Sequence, residues 1–433
     1  MATYNYSNNP NVVFNPLSDV LFVDVGSAAD LFVSQSGTSI VIVGSGHTAT
    51  LQGVSPGQLS PANVTFFNES FMLVGDESAG TVNDEGPNSI TGGNGNDLLI
   101  GLGGNDTLDG GQGNDRIYGN AGDDRINGSF GRDTVFGGQG NDLVQFFANS
   151  TGVLIYGNLG SDDLRGGTGA DTMFGGQGND QLTGDNGHNL LHGNLGDDTF
   201  FSGNGNDTIF GGDGNDSILA GLGNNLIYGQ VGNDTIGGPL NSGTIDTVFG
   251  GQGNDLISYV NSASSALIYG QFGDDVLIGG SSTSVSDTIF GGQGNDLLRG
   301  GVGHDFLTGG IGNDTFLISR NGGINDSGAT AASADFVYDF FSGQDKIRVL
   351  LSGSGVPGTA ANYNEFANSS VDNVPEAGQA YATSLTFKTY TFIAGSVSGF
   401  LVVDADTDGT ADMILEIAVG SSLNSFAFTD IIG

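Results

Sequence analysis

From Gly92 to Asp314 the chain repeats a nine-residue phrase: Gly, two variable residues, Gly, one variable residue, Asp, then a short apolar step. Gly92-Gly93-Asn94-Gly95-Asn96-Asp97-Leu98-Leu99-Ile100 is the first clean copy, and Gly309-Gly310-Ile311-Gly312-Asn313-Asp314-Thr315-Phe316-Leu317 is the last. Such a period is too short for a domain and does not fit a helix heptad. It is the length of one loop plus one short strand, so the region reads as a solenoid. Glycines permit tightly curved backbone that exposes carbonyl oxygens, and Asp adds a hard anionic oxygen. Together they form an oxygen-lined cage for a hard cation, and calcium is the best match.

Composition supports ligands rather than a merely solvated acidic surface. The net charge is −39, and of the 48 acidic residues 42 are Asp and only 6 are Glu, with no Glu between Glu85 and Glu365. Charge of that sign argues against nucleic acid as a partner, and without cations it opposes compaction through self-repulsion. Cysteine is absent, which excludes disulfides and thiolate metal sites. The stretch from Met1 to Phe22 has no basic segment followed by an apolar run, so it does not read as a classical signal peptide. No segment has the length and apolarity of a membrane-spanning helix.

The chain divides into three regions. Residues 1–86 carry no Lys or Arg and read as a small β-rich domain, with strand candidates at Leu21–Val25, Ser39–Val43, Val64–Phe67 and Phe71–Val74. Residues 87–318 hold about 24 nonapeptide units, 20 of them with Asp at the sixth position. From 319 to 433 the repeat is lost and longer strands such as Ser384–Tyr390 are expected, forming a β-rich cap over the apolar end of the solenoid.

If two nonapeptides make one turn, alternate units stack into two columns. The first holds Asp106, Asp124, Asp142, Asp162, Asp180, Asp198, Asp216, Asp234, Asp255, Asp275, Asp296 and Asp314, all within Gly-x-x-Gly-x-Asp. The second starts intact with Asp97, Asp115 and Asp133 and then degenerates. Val153, Asn189, Asn225 and Ala266 alternate there with Asp171, Asp207, Asp246 and Asp287, and the column recovers at Asp305. Asp246 and Asp287 sit in loops that have lost the glycines. A longer period of two turns underlies this, because the phrase Asp133-Thr134-Val135-Phe136-Gly137-Gly138-Gln139-Gly140-Asn141-Asp142 recurs, nearly unchanged, at Asp171, Asp207, Asp246 and Asp287. Extra residues fall only in the degenerate column, as in Phe146–Thr151 and Tyr259–Ser265. One edge is thus read as a continuous calcium edge, and the other as freed for another purpose or drifted.

These residues resemble the RTX nonapeptide family, whose pattern is Gly-Gly-x-Gly-x-Asp-x-apolar-x. The resemblance implies a parallel β-roll, an all-β calcium-binding solenoid. Each ion would lie between loops of successive turns, held by backbone carbonyls and the sixth-position carboxylates of both. Carried over to this chain, the ligands are the twelve Asp of the first column with Asp97, Asp115, Asp133, Asp171, Asp207 and Asp305 of the second. Eleven interloop sites follow from the first column and two from the intact start of the second. About thirteen divalent ions would leave roughly −13 of the −39 charges, so that metal binding is coupled to folding. Twelve turns of roughly 4.8 Å give a length of about 58 Å. Leu99, Leu108, Ile117, Ile126, Val135 and Val144, at the eighth position, are the expected core.

The last region resembles the C-terminal domain of proteins exported by type I secretion. The resemblance rests on Asp335-Phe336-Val337-Tyr338-Asp339-Phe340-Phe341-Ser342-Gly343-Gln344-Asp345-Lys346-Ile347 and on the tail Phe428–Gly433. It implies an uncleaved signal, the secretion machinery as a partner and an extracellular or cell-surface location. Asp404-Ala405-Asp406-Thr407-Asp408-Gly409 begins like an EF-hand loop but has Leu415 at the twelfth position, and reads as a hairpin turn or a further calcium site.

No catalytic constellation accompanies the repeats. His188-Asn189-Leu190-Leu191-His192 has the histidine spacing of a zinc protease but lacks its Glu and lies in repeat loop and strand. No Gly-x-Ser-x-Gly stands in a strand–turn–helix context, and residues 1–86 have one His and no basic residue or Cys. The expectation is a non-enzymatic, calcium-folded structural protein of the bacterial surface, of S-layer or extracellular-matrix type. It would assemble with copies of itself, with the degenerate edge as the contact and a surface polysaccharide as a second candidate partner. The alternative is a soluble adhesin whose ligand site lies in residues 1–86.

Overall fold

The computed structural model describes residues 86–146, 151–239, 244–260, 262–281, 285–321, 335–341 and 344–351, and short strands outside them. The chain forms two units, Met1–Ile209 and Phe210–Gly433. Each carries a stretch of parallel β-solenoid, and there is no helix among the described residues. Accordingly no helix there is long and apolar enough to cross a membrane.

In the first unit one sheet is built from strands such as Arg116–Ala121, Thr134–Gln139, Leu154–Leu159, Thr172–Gln177 and Leu190–Leu195. The facing sheet is built from shorter strands, including Arg125–Asn127, Leu143–Gln145, Asp163–Arg165 and Gln181–Thr183. Every pairing along these stacks is parallel, with equivalent repeat positions in register: Ile117 lies beside Val135, and Val135 beside Ile155. Alternation along each strand sends the eighth position inward and the seventh and ninth outward. Leu99, Leu108, Ile117, Ile126, Val135 and Val144 are at most 1% exposed, as the periodicity requires. The second unit repeats the arrangement, with Ile227, Val248, Ile268 and Ile289 from one sheet and Ile236, Ile257, Leu277 and Leu298 from the other forming its core.

The stacks continue past the last nonapeptide. Asp335–Val337 pairs in parallel with Phe306–Ile311, and Lys346–Leu351 with Thr315–Asn321, which sets Val337 beside Leu307 and Ile347 beside Phe316. Asp335-Phe336-Val337 and Asp345-Lys346-Ile347 therefore reuse the repeat's own Asp-x-apolar step. In the N-terminal region strands occur at Val20–Val23, Ser39–Gly44, Val64–Phe66 and Met72–Val74. The central one joins an antiparallel meander with Phe32–Ser36 and His47–Gln52. The expected strand at 384–390, apart from Tyr390, and the Asp404–Asp412 loop lie outside the described residues.

One feature of the long-strand sheet was not anticipated. Its outward ninth positions form a ladder of stacked rings. In the first unit this is Tyr118, Phe136, Tyr156, Phe174 and His192, with centroids 4.8–5.0 Å apart and the four aromatic rings within 7° of parallel. In the second it is Phe210, Tyr228, Phe249, Tyr269 and Phe290, at 4.9–5.0 Å. The spacing is that of adjacent strands in a sheet. Each stacked pair contributes about 0.5–1.5 kcal/mol beyond area burial, so the ladder reinforces register from outside as the eighth position does from within.

Candidate metal centres

The loops between strands hold two side-chain ladders of opposite direction. At the sixth position, Asp Oδ1 accepts the backbone N–H of the sixth residue one turn earlier. Asp124 accepts from Asp106 at 2.8 Å, Asp142 from Asp124 at 2.9 Å, and Asp162 from Asp142 at 2.8 Å. In the second unit the series runs through Asp234, Asp255, Asp275, Asp296 and Asp314. At the fifth position the side-chain oxygen instead accepts from the residue one turn later, as Asn233 does from Asn254 and Asn254 from Asp274, at 2.7 and 2.8 Å. This second ladder explains the recurrent Asn, Asp and Ser at a position the sequence reading treated as variable.

With Oδ1 held, Oδ2 is aimed into the loop. The eighteen sixth-position Asp expected as ligands are all buried, at 2% exposure or less. For Asp115, Asp124, Asp133, Asp142, Asp162, Asp171, Asp180, Asp234, Asp255, Asp275, Asp296 and Asp314, Oδ2 is buried with no hydrogen-bond donor. A buried carboxylate oxygen left in this way is costly unless a cation or proton meets it.

The first glycine of each loop completes the geometry. A Cβ added at Gly157 would meet Asp162 Oδ2 and would lie 2.5 Å from the carbonyl oxygen of Gly175, one turn on. The same cradle recurs at Gly101, Gly119, Gly137 and Gly175 in the first unit and at Gly211, Gly229, Gly250, Gly270 and Gly291 in the second, each time between its own loop's Asp and the next turn's carbonyl. Carboxylate and carbonyl oxygens thus converge on one small space that only glycine leaves open. Hard oxygen donors at this spacing suit calcium, whose ligands lie at about 2.3–2.6 Å. Among the described residues no three acidic or imidazole side chains converge.

Burial raises the carboxyl pKa values, opposed in part by the N–H bonds to Oδ1. Asp142 is pushed up to about 8, with Asp162, Asp124 and Asp123 adding like charge. Asp115, Asp133, Asp180, Asp255, Asp275 and Asp314 rise to about 7 for the same first reason. Asp124, Asp162, Asp171, Asp234 and Asp296 rise to about 6.

The second column shows what replaces the cradle. At Asp133 the ring of Phe146 takes the place of the next turn's glycine and fills the space beside Gly128. At Asp246, Tyr259 fills the corresponding space beside Gly238, and its hydroxyl donates to Oδ2 at 2.9 Å. Phe146 and Tyr259 are 0% and 1% exposed. At Asp287, the N–H of Gly280 donates to Oδ2 at 2.6 Å. Where Asn stands, its amide nitrogen donates inward, from Asn189 to Ser202 O at 3.4 Å and from Asn225 to Gly221 O at 3.2 Å. The hydroxyl of Ser202 also bonds Asp207 and opposes the rise that burial causes there. Asp97 and Asp115 keep open cradles against Gly110 O and Gly128 O. The loops at Asn189, Asn225, Asp246 and Asp287 are therefore closed by hydrogen-bond donors, and that at Asp133 by an apolar ring. The signal available in the sequence was the large residue or Ser at the first position, Phe146, Ser202 and Tyr259.

In both columns the sixth-position ladder reaches the added C-terminal turn. Asp335 Oδ1 accepts from Asp305 N and Asp345 Oδ1 from Asp314 N, at 3.1 and 3.0 Å. Asp345 Oδ2 takes the N–H of Phe341, while Asp339 receives those of Gly309 and Gly310 on its two oxygens. His188 and His192 do not form a metal pair: His188 Nδ1 accepts from Asn206 N, and His192 stacks on Phe174.

Comparison with known proteins agrees with this geometry. The RTX calcium-binding nonapeptide repeat family model, of four copies, matches residues 83–144, 156–238, 242–258 and 267–316 in overlapping segments. The chain carries RTX calcium-binding repeats folded as a β-roll. Among solved structures, the extracellular lipase LipA from Serratia marcescens is similar at 15% identity and a TM-score of 0.16, over 57% of this chain and 45% of the lipase. No curated protein matches significantly.

Proposed function

We propose that this is a secreted, non-catalytic structural protein of the bacterial surface, of S-layer or extracellular-matrix type, which folds and assembles when it meets external calcium. The observation that carries the reading is the series Asp124, Asp142, Asp162, Asp180, Asp234, Asp255, Asp275, Asp296 and Asp314, buried Asp whose Oδ2 atoms have no donor. At neutral pH these carboxylates and the net charge of −39 oppose compaction in a calcium-poor cytosol. Asp124, Asp142, Asp162 and Asp180 in the first unit, with Asp234, Asp255, Asp275 and Asp296 in the second, would hold the ions together with the facing glycine carbonyls. Bound calcium supplies the missing positive charge between turns. Affinities of about 10⁻⁴–10⁻³ M, usual for extracellular modules, are enough for this. Export by a type I machinery is supported by the RTX repeats, which are typical of its substrates, and by the resemblance of residues 335–347.

Electron microscopy of protein refolded with millimolar calcium, against a chelated control, tests the reading. Calcium-dependent sheets or filaments are expected. Folded but solitary particles would overturn the structural role and leave a soluble calcium-binding protein.

A further inference from the structure

We infer that copies of this chain associate through the outer face of the long-strand sheet, ladder against ladder, rather than through the degenerate edge. The inference rests on the assembly reading above and names its contact surface.

Electrostatics selects the face. In a chain of net charge −39, any self-contact must avoid opposing carboxylates. The outward seventh and ninth positions of this sheet in the first unit are Arg116, Tyr118, Thr134, Phe136, Leu154, Tyr156, Thr172, Phe174, Leu190 and His192, with no acid among them. In the second, from Leu226 to Phe290, they are equally free of acid. In the first unit the facing sheet differs, since its outward positions include Asp109 and Asp163, whereas from Ser217 to Arg299 in the second unit the facing sheet also lacks acid.

Shape points the same way. Beside the ladder, from Gln139 onward, the third loop position alternates turn by turn between a large apolar residue and a polar one: Gln139, Leu159, Gln177, Leu195 in the first unit and Asp213, Val231, Gln252, Phe272, Gln293 in the second, Asp213 being the one exposed acid among these. Leu159, Leu195 and Phe272 are 41%, 46% and 50% exposed. Between them lie recesses, one lined by Tyr156, Asn158, Phe174, Gln177 and Asn194 and another by Tyr228, Gln230, Phe249, Gln252 and Gln271. Apolar knobs alternating with amide-rimmed recesses every second turn make a surface complementary to a reversed copy of itself, as a two-fold contact requires. At the degenerate edge Phe146 and Tyr259 point inward, while Ile245 and Val260 stand 58% and 41% exposed without a matching row of recesses between them among the described residues.

The test uses the full chain with calcium, followed by sedimentation velocity and microscopy. Leu159→Asp with Leu195→Asp places carboxylates on exposed positions, and calcium-dependent circular dichroism checks that folding is kept. At least a tenfold higher protein concentration should be needed for assembly, while Ser217→Asp on the facing sheet should assemble as wild type. Equal assembly of the double variant would overturn the inference. A wild-type protein that stays monomeric with calcium would instead remove the assembly reading itself. Should the Asp variant misfold, thiol labelling decides, since the chain has no Cys. Leu195→Cys should lose maleimide reactivity on assembly and Ser217→Cys should keep it; reactivity retained at both would overturn the contact.

Discussion

The hydroxyl of Tyr259 donates to Oδ2 of Asp246, 2.9 Å away, in the space that an intact loop leaves open for a cation. Burial first, and then the Asp246 charge, raise the phenol pKa well above its ordinary value, so Tyr259 remains a donor throughout the physiological range. Tyr259→Phe keeps the ring but removes the proton donor. It should destabilise the calcium-loaded protein by about 1–3 kcal/mol, the cost of taking a donor from a buried carboxylate oxygen. Denaturant unfolding at constant calcium measures this, and an unchanged midpoint would sink the assignment.

Asn189→Asp should create a site. Asn189 occupies the sixth position with Gly184 at the first, and its amide nitrogen takes the Ser202 carbonyl that would otherwise face a cation. A carboxylate there exchanges a donor for an acceptor and rebuilds the cradle. Calcium stoichiometry from chelator competition should rise by one ion per chain, and no increase would count against the geometry.

Gly157→Ala should do the reverse. Its Cβ would enter the cradle between Asp162 Oδ2 and Gly175 O. Overfilling costs about 1–3 kcal/mol in a packed site, and here it also displaces the ligand space. Isothermal titration should show weaker calcium binding at one site, with a matching loss in Asp162→Ala. Wild-type binding by both variants would refute the column.

Acid should replace calcium in part. The folded pKa values of about 6 to 8 for Asp115, Asp124, Asp142, Asp162, Asp180 and Asp255 lie above the ordinary carboxyl value of 3.8. The metal-free roll therefore binds more protons than the unfolded chain. Its relative stability is greatest below about pH 4 and is lost as pH rises through roughly 6 to 8. In a chelating buffer, lowering the pH from 8 towards 4 should increase β-structure by circular dichroism. With calcium present the same change should weaken ion binding, because protons compete for Oδ2.

The period made the core legible: a nine-residue step puts every eighth position inside, and Ile117 and Val135, two steps apart, sit side by side where it requires. The sixth-position Asp were legible too, because Gly-x-x-Gly-x-Asp specifies both the curve of the loop and its ligand. Tyr259 and Phe146 were hidden by the two-column bookkeeping, which registered them as insertions although each stands at a first position. The ring ladder was written in the sequence as Tyr118, Phe136, Tyr156 and Phe174. The nine-residue pattern requires no ring at the ninth position, and these rings lie 18–20 residues apart, so only the stacking of turns brings them together. Asn254 at the fifth position was missed for a different reason: its partner Asp274 is 20 residues away, and only stacking brings them together.

The opposed directions of the two loop ladders have a consequence for length. Each turn offers an acceptor to the turn before it at the sixth position and to the turn after it at the fifth, so an interior turn asks nothing of a neighbour except that it be another turn. A gene encoding such a protein can gain or lose whole pairs of turns by recombination between near-identical segments, and the product remains compatible at every joint. Size becomes an adjustable property of each stack, varying in steps of paired turns.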